Sequence, residues 1–86
     1  MSFNVLKIKK LREYYNLSQR EFGKILGFGK MTVNRYENGY YPTLSHRNYL
    51  YAFIVYPDLL YEFASIAYIE GRISRKTLDK FIERCD

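Results

Sequence analysis

The chain has no tryptophan, one histidine, one cysteine and two prolines in 86 residues, and each shortage removes a class of protein. A lone Cys85 cannot form an internal disulfide. His46 has no cysteine partner and only scattered carboxylates for company, which argues against a metal site, and no cofactor is expected. No apolar run approaches the roughly eighteen residues of a membrane-crossing helix. Met1–Leu11, where lysine follows lysine, lacks the pattern of a signal peptide, so a cytoplasmic, non-membrane protein is the expectation. There is no internal repeat, low-complexity tract or linker, and Pro42 and Pro57 fall where one helix should give way to the next.

What is present suits a single small domain over residues 1–86. Nearly half the residues are apolar (48%), and ten Tyr and six Phe supply bulk that suits helix seams and binding surfaces alike. The formal charge is +5, and its location is informative. Residues 1–40 hold eight Lys/Arg against three Asp/Glu, whereas residues 41–86 hold six of each. All the net positive charge therefore lies in the front half, which fits contact with a polyanion.

Apolar spacing places the helices. Val5, Ile8, Leu11 and Tyr15 mark one face of a first helix from about Asn4 to Tyr15, with Lys7, Lys9, Lys10 and Glu13 opposite. Ser18 opens a second helix, and Glu21 three residues on completes a capping box. Phe22, Ile25 and Leu26 form its buried stripe. Gly23 inside this helix costs about 1 kcal/mol against Ala, which a close helix crossing would explain. Gly27 fits a left-handed helix end, Phe28 tucks into the core, and Gly29-Lys30 begin a third helix that stops at Asn38-Gly39. With Val33 and Tyr36 buried, Lys30, Met31, Thr32, Asn34 and Arg35 are left facing outward. Two helices joined by a glycine-punctuated turn over Leu17–Gly39 have the layout of a helix-turn-helix. The outward groups are those that contact guanine edges, a thymine methyl and adenine in a major groove.

Beyond Gly39, Ser45 or Thr43 can cap a fourth helix that turns Tyr49, Leu50, Phe53 and Ile54 inward. Pro57 suits the first turn of a fifth, carrying Leu59, Leu60, Phe63, Ile66 and Ala67. Residues 55–70 hold Asp58, Glu62 and Glu70 and no Lys or Arg, so this helix is not expected on DNA. Gly71 ends it. Ser74 can cap a sixth helix with an apolar stripe of Leu78, Phe81 and Ile82, which either closes the core or meets a second subunit.

The run Ile8-Lys-Lys-Leu-Arg12, then Leu17-Ser-Gln-Arg-Glu-Phe22, Gly27, Thr32-Val33 and Tyr36-Glu-Asn-Gly39 resembles the Cro/repressor (XRE) family of helix-turn-helix proteins, especially its short antitoxin-like regulators. The resemblance covers residues 5 to about 60. It implies an all-α, five-helix, lambda-repressor-like domain over residues 5–65, with residues 66–86 as an added C-terminal helix for dimerisation or partner contact. It implies base contacts from Lys30, Met31 and Arg35, which Asn34 joins on the outward face. Backbone contacts are implied for Gln19 and Asn38, with Arg20, Gly29, Thr32, Lys10 and Tyr40 alongside. Arg12 and Glu37 are implied to pair within the domain. Gly29 stands where the family often has a Ser or Thr cap, and Gly23 replaces the usual Ala.

These readings give a non-enzymatic, double-stranded-DNA-binding transcriptional regulator, a repressor acting as a homodimer. The alternative is a protein-interaction module such as an antitoxin, whose main partner is a toxin or other protein. Several features also have plainer readings. Lys30 and Arg35 could be solvated charges, and Met31 a surface filler. Tyr14-Tyr15 and Tyr40-Tyr41 lack the Arg and His cluster of a tyrosine nucleophile. Asp79 and Glu83, four apart, fit an exposed polar face. RNA is disfavoured because a deep A-form groove does not admit such a helix.

Overall fold

The computed structural model describes residues 5–84, and side chains over 7–83. Asn4, the Val5 side chain and Cys85 lie outside these. Six helices follow one another, α1 (Val5–Tyr14), α2 (Gln19–Leu26), α3 (Lys30–Glu37), α4 (Leu44–Val55), α5 (Asp58–Ile69) and α6 (Arg75–Arg84). There is no strand among the described residues.

Local chemistry sets the breaks. α1 is closed off by the turn at Asn16, which adopts φ 56°, while Leu17 N–H reaches back to Arg12 O at 3.1 Å and Asn16 N–H to Glu13 O at 2.9 Å. That pair of bonds satisfies the last carbonyls of α1, and Asn tolerates the left-handed geometry better than most residues. It also drops Leu17 into the core, 3% exposed. Tyr15, expected in the first helix, lies just past its end and is buried. α4 is capped by Thr43, whose hydroxyl accepts from His46 N–H, rather than by Ser45.

The core runs through all six helices. Ile8 of α1, Phe22 and Ile25 of α2, Val33 of α3, Leu50 and Phe53 of α4, and Leu60, Ala64 and Ala67 of α5 join Leu78 and Phe81 of α6 in one cluster. Leu60, Ala64 and Ala67 are all 0% exposed, and the two alanines let neighbouring helices approach α5 closely. Phe81, also 0% exposed, lies 4.5 Å from the Tyr15 ring and 6.2 Å from Tyr61. Leu78 and Phe81 of the α6 stripe thus close the core.

Three residues depart from their expected inward positions. Tyr49 is 47% exposed with its ring edge on Phe63, Ile66 is 50% exposed, and Ile82 is 43% exposed. With roughly 100° between successive helical residues, Ile66 turns well away from the line of Leu60, Ala64 and Ala67. No single helix among the described residues is long and apolar enough to cross a membrane.

Candidate nucleic-acid interface

The front edge is built on α2, whose start is fixed twice. Ser18 Oγ accepts from Glu21 N–H at 3.0 Å, and Glu21 Oε1 accepts from Ser18 N–H at 2.8 Å. Glu21 also receives the Thr77 hydroxyl at 2.6 Å and Lys80 Nζ at 2.9 Å, and Lys80 donates to Asn16 O at 2.8 Å. Burial alone would raise the Glu21 pKa. The Ser18 backbone bond, the Thr77 hydroxyl and the Lys80 ammonium outweigh it and hold the carboxyl at about 2. One carboxylate therefore caps α2 and ties it to α6.

The turn explains Gly23. A Cβ there would meet Phe28 O at 2.7 Å and Gly29 backbone at 3.3 Å, so the close approach comes from the turn folding back rather than from a crossing helix. Gly27 supplies the φ of 81° that begins this return, and its backbone N–H bonds Gly23 O. Phe28 then stacks on the His46 ring with centroids 3.7 Å apart, and Tyr36 Oη meets His46 Nδ1 at 2.6 Å. His46 therefore joins the turn, α3 and α4.

α3 buries only Val33, and its Gly29 N-cap makes no side-chain hydrogen bond. Its exposed face carries Lys30, Met31 (64% exposed) and Arg35, with Asn38 and Tyr40 (66%) continuing past its end. Thr32 and Asn34 are half-buried. Arg20, on α2, and Gly29 are exposed nearby in sequence. The loop after α3 adds Tyr41, whose ring lies under the Arg47 guanidinium at 4.6 Å. Nothing in the sequence spacing singled out Arg47.

Several candidate residues bond to one another. Arg12 Nε donates to Glu37 Oε2 at 2.7 Å and its Nη2 to Oε1 at 3.0 Å, in a pair whose side chains are only 13% and 5% exposed. The hydrogen bond to Glu37 raises the Arg12 pKa against the opposing effect of burial. Gln19 Nε2 donates to Glu37 Oε1 at 3.1 Å, and Gln19 Oε1 accepts from Asn34 Nδ2 at 3.3 Å. Asn38 turns its amide nitrogen to Asn34 O at 2.8 Å and Asn34 Oδ1 at 3.2 Å. Lys10 stands apart: it lines a groove of about 380 Å³ with Lys7, Leu11, Phe53, Ile54 and Pro57, roughly 200° around α1 from Arg12, the residue that faces α3.

Residues 8–46 match a protein-family model described as Helix-turn-helix (HTH_3), a span that runs from α1 through the turn and α3 into the first turn of α4. No curated protein matches the chain, and no solved structure does. Geometry and family match agree on the same stretch, and the chain carries a helix-turn-helix DNA-binding module.

Proposed function

We propose that this chain is a sequence-specific, double-stranded-DNA-binding transcriptional regulator that represses as a homodimer, with α3 in the major groove. One observation carries the reading. The face of α3 that packing leaves free presents Lys30, Met31 and Arg35 together, with the half-buried Asn34 beside them. A guanidinium or ammonium matches the O6 and N7 acceptors of guanine, a thioether fits against a thymine methyl, and a carboxamide matches adenine N6 and N7. Phosphate contacts come from Arg20, Thr32, Tyr40 and the amino end of α3 at Gly29, where backbone N–H groups and the helix dipole favour an anion. Gln19 and Asn38 give part of their polar capacity to the module itself. A bound dimer blocks polymerase by occupying the promoter.

Selection of bound duplexes from a random pool tests this. A palindromic winner with half-sites about one turn, ~34 Å, apart supports both specificity and the dimer. Failure to enrich any duplex contradicts the reading. A second reading, a protein-binding module of the antitoxin kind, is favoured by α5, where Ile66 and Ile69 (81% exposed) stand beside Glu62 and Glu70. It predicts no enriched duplex, and a co-purifying partner lost on Ile69→Asp.

A further inference from the structure

The mutually bonded residues of the front edge form a directional chain. Glu37, already holding Arg12 through both carboxylate oxygens, also accepts from Gln19. A carboxylate in such a pair only accepts, so Gln19 must turn its nitrogen toward Glu37 and its carbonyl oxygen toward Asn34. That oxygen can only accept, so Asn34 presents Nδ2 to it, and Asn34 Oδ1 is left to receive Asn38 Nδ2. Each carboxamide alone could flip end for end. Here the sense of Gln19 and Asn34 follows from the Glu37 carboxylate, and that of Asn38 is fixed as well by its bond to the Asn34 backbone carbonyl.

We propose that Gln19 is a positioning residue that fixes the donor and acceptor order of Asn34 for reading adenine. A carboxamide has two N–H hydrogens and two carbonyl lone pairs. The chain uses one hydrogen of Asn34, toward Gln19, and one lone pair, toward Asn38. One hydrogen and one lone pair remain, which adenine N7 and N6–H require of a carboxamide. Flipping Asn34 would break both internal bonds, so the sense is set before DNA arrives. This inference rests on the proposed function, and it differs from a phosphate-contact role for Gln19 in what a substitution does.

The test uses the full chain, the selected duplex and its single-base-pair variants, with binding read by anisotropy over a range of salt. Asn34→Ala identifies the base pair that Asn34 reads, where discrimination should fall about tenfold. Gln19→Ala, and Gln19→Met should the alanine variant fold poorly, should lose about the same tenfold at that one base pair with an unchanged salt slope. On the Asn34→Ala background either Gln19 change should shift binding by less than about twofold, because the two residues act as a unit. Equal loss on every duplex with a shallower salt slope would make Gln19 a phosphate contact and overturn the inference. It is also overturned if Asn34→Ala leaves every base preference intact, and the proposed function then still stands on Arg35 and Lys30. If the wild-type chain selects no duplex, the proposed function itself fails.

Discussion

α2 and α3 are each eight residues long, and they are held in place by opposite means. α2 has a complete capping box, a left-handed glycine at its end, and Phe22, Gly23 and Ile25 buried. From the loop before α6, Arg72 also donates to the Lys24 and Ile25 carbonyls at the close of α2. α3 has a bare glycine cap and buries Val33 alone. Tyr36 adds a partly buried ring set edge-on to Phe28, and the remaining ties are polar: Glu37 to Arg12 and Gln19, Tyr36 to His46, and Asn34 to Gln19. α2 thus serves as the support. α3 is anchored by its flanks, and the exposed Lys30, Met31 and Arg35 have no evident part in packing, which leaves them available for recognition.

The largest expected effect tests the support. Phe22→Ala, at a side chain 1% exposed, should destabilise by about 3–5 kcal/mol in urea unfolding, whereas Met31→Ala should stay within about 0.5 kcal/mol. Near-equal costs would erase the distinction between the two helices. Gly23→Ala should cost about 1–3 kcal/mol despite Ala's better helix propensity, because the added Cβ meets backbone of the turn and not a mobile side chain. A stabilised variant would mean that the turn can move away.

Acid probes the α2–α6 tie. The Glu21 pKa is lowered from its ordinary 4.5 to about 2, so its contribution is complete above the ordinary value and is lost as pH falls from 4.5 toward 2. Glu21→Gln keeps a cap acceptor but cannot titrate. Against it, the wild type should lose on the order of 1 kcal/mol of stability across that window, after discount for solvent screening. Parallel curves would show that Glu21 is not the group involved. The smallest effect concerns the bare cap of α3. A Cβ at Gly29 meets nothing within 4 Å, and its φ of −76° is open to any residue, so Gly29→Ser should stabilise by a few tenths of a kcal/mol. A loss of stability would mean that the serine hydroxyl does not reach the N–H groups of α3.

The sequence carried most of the helix-turn-helix because its signals are local. Ser18 and Glu21 are three residues apart, and Gly27 and Asn38-Gly39 mark stops that neighbouring residues alone decide. The ties of Thr77 and Lys80 to Glu21 span 56 and 59 residues, and no periodicity encodes them. His46 looked like an isolated histidine until Phe28 and Tyr36 came together around it. Asn34 counted as outward by spacing, yet it is half-buried and bonded to Gln19, fifteen residues earlier in the chain. For α6, spacing gave an apolar stripe without saying what it meets, and the Phe81 contacts with Tyr15 and Tyr61 supply that answer.

The most direct measurement titrates Arg35→Ala and wild-type protein against the selected duplex and a random duplex at several salt concentrations. If the free face of α3 reads base edges, the variant loses about 1–3 kcal/mol on the selected duplex and much less on the random one, with base preference relaxed at one position. Equal losses on both duplexes would reduce Arg35 to a phosphate contact, and no loss on either would take this face of α3 out of the interface.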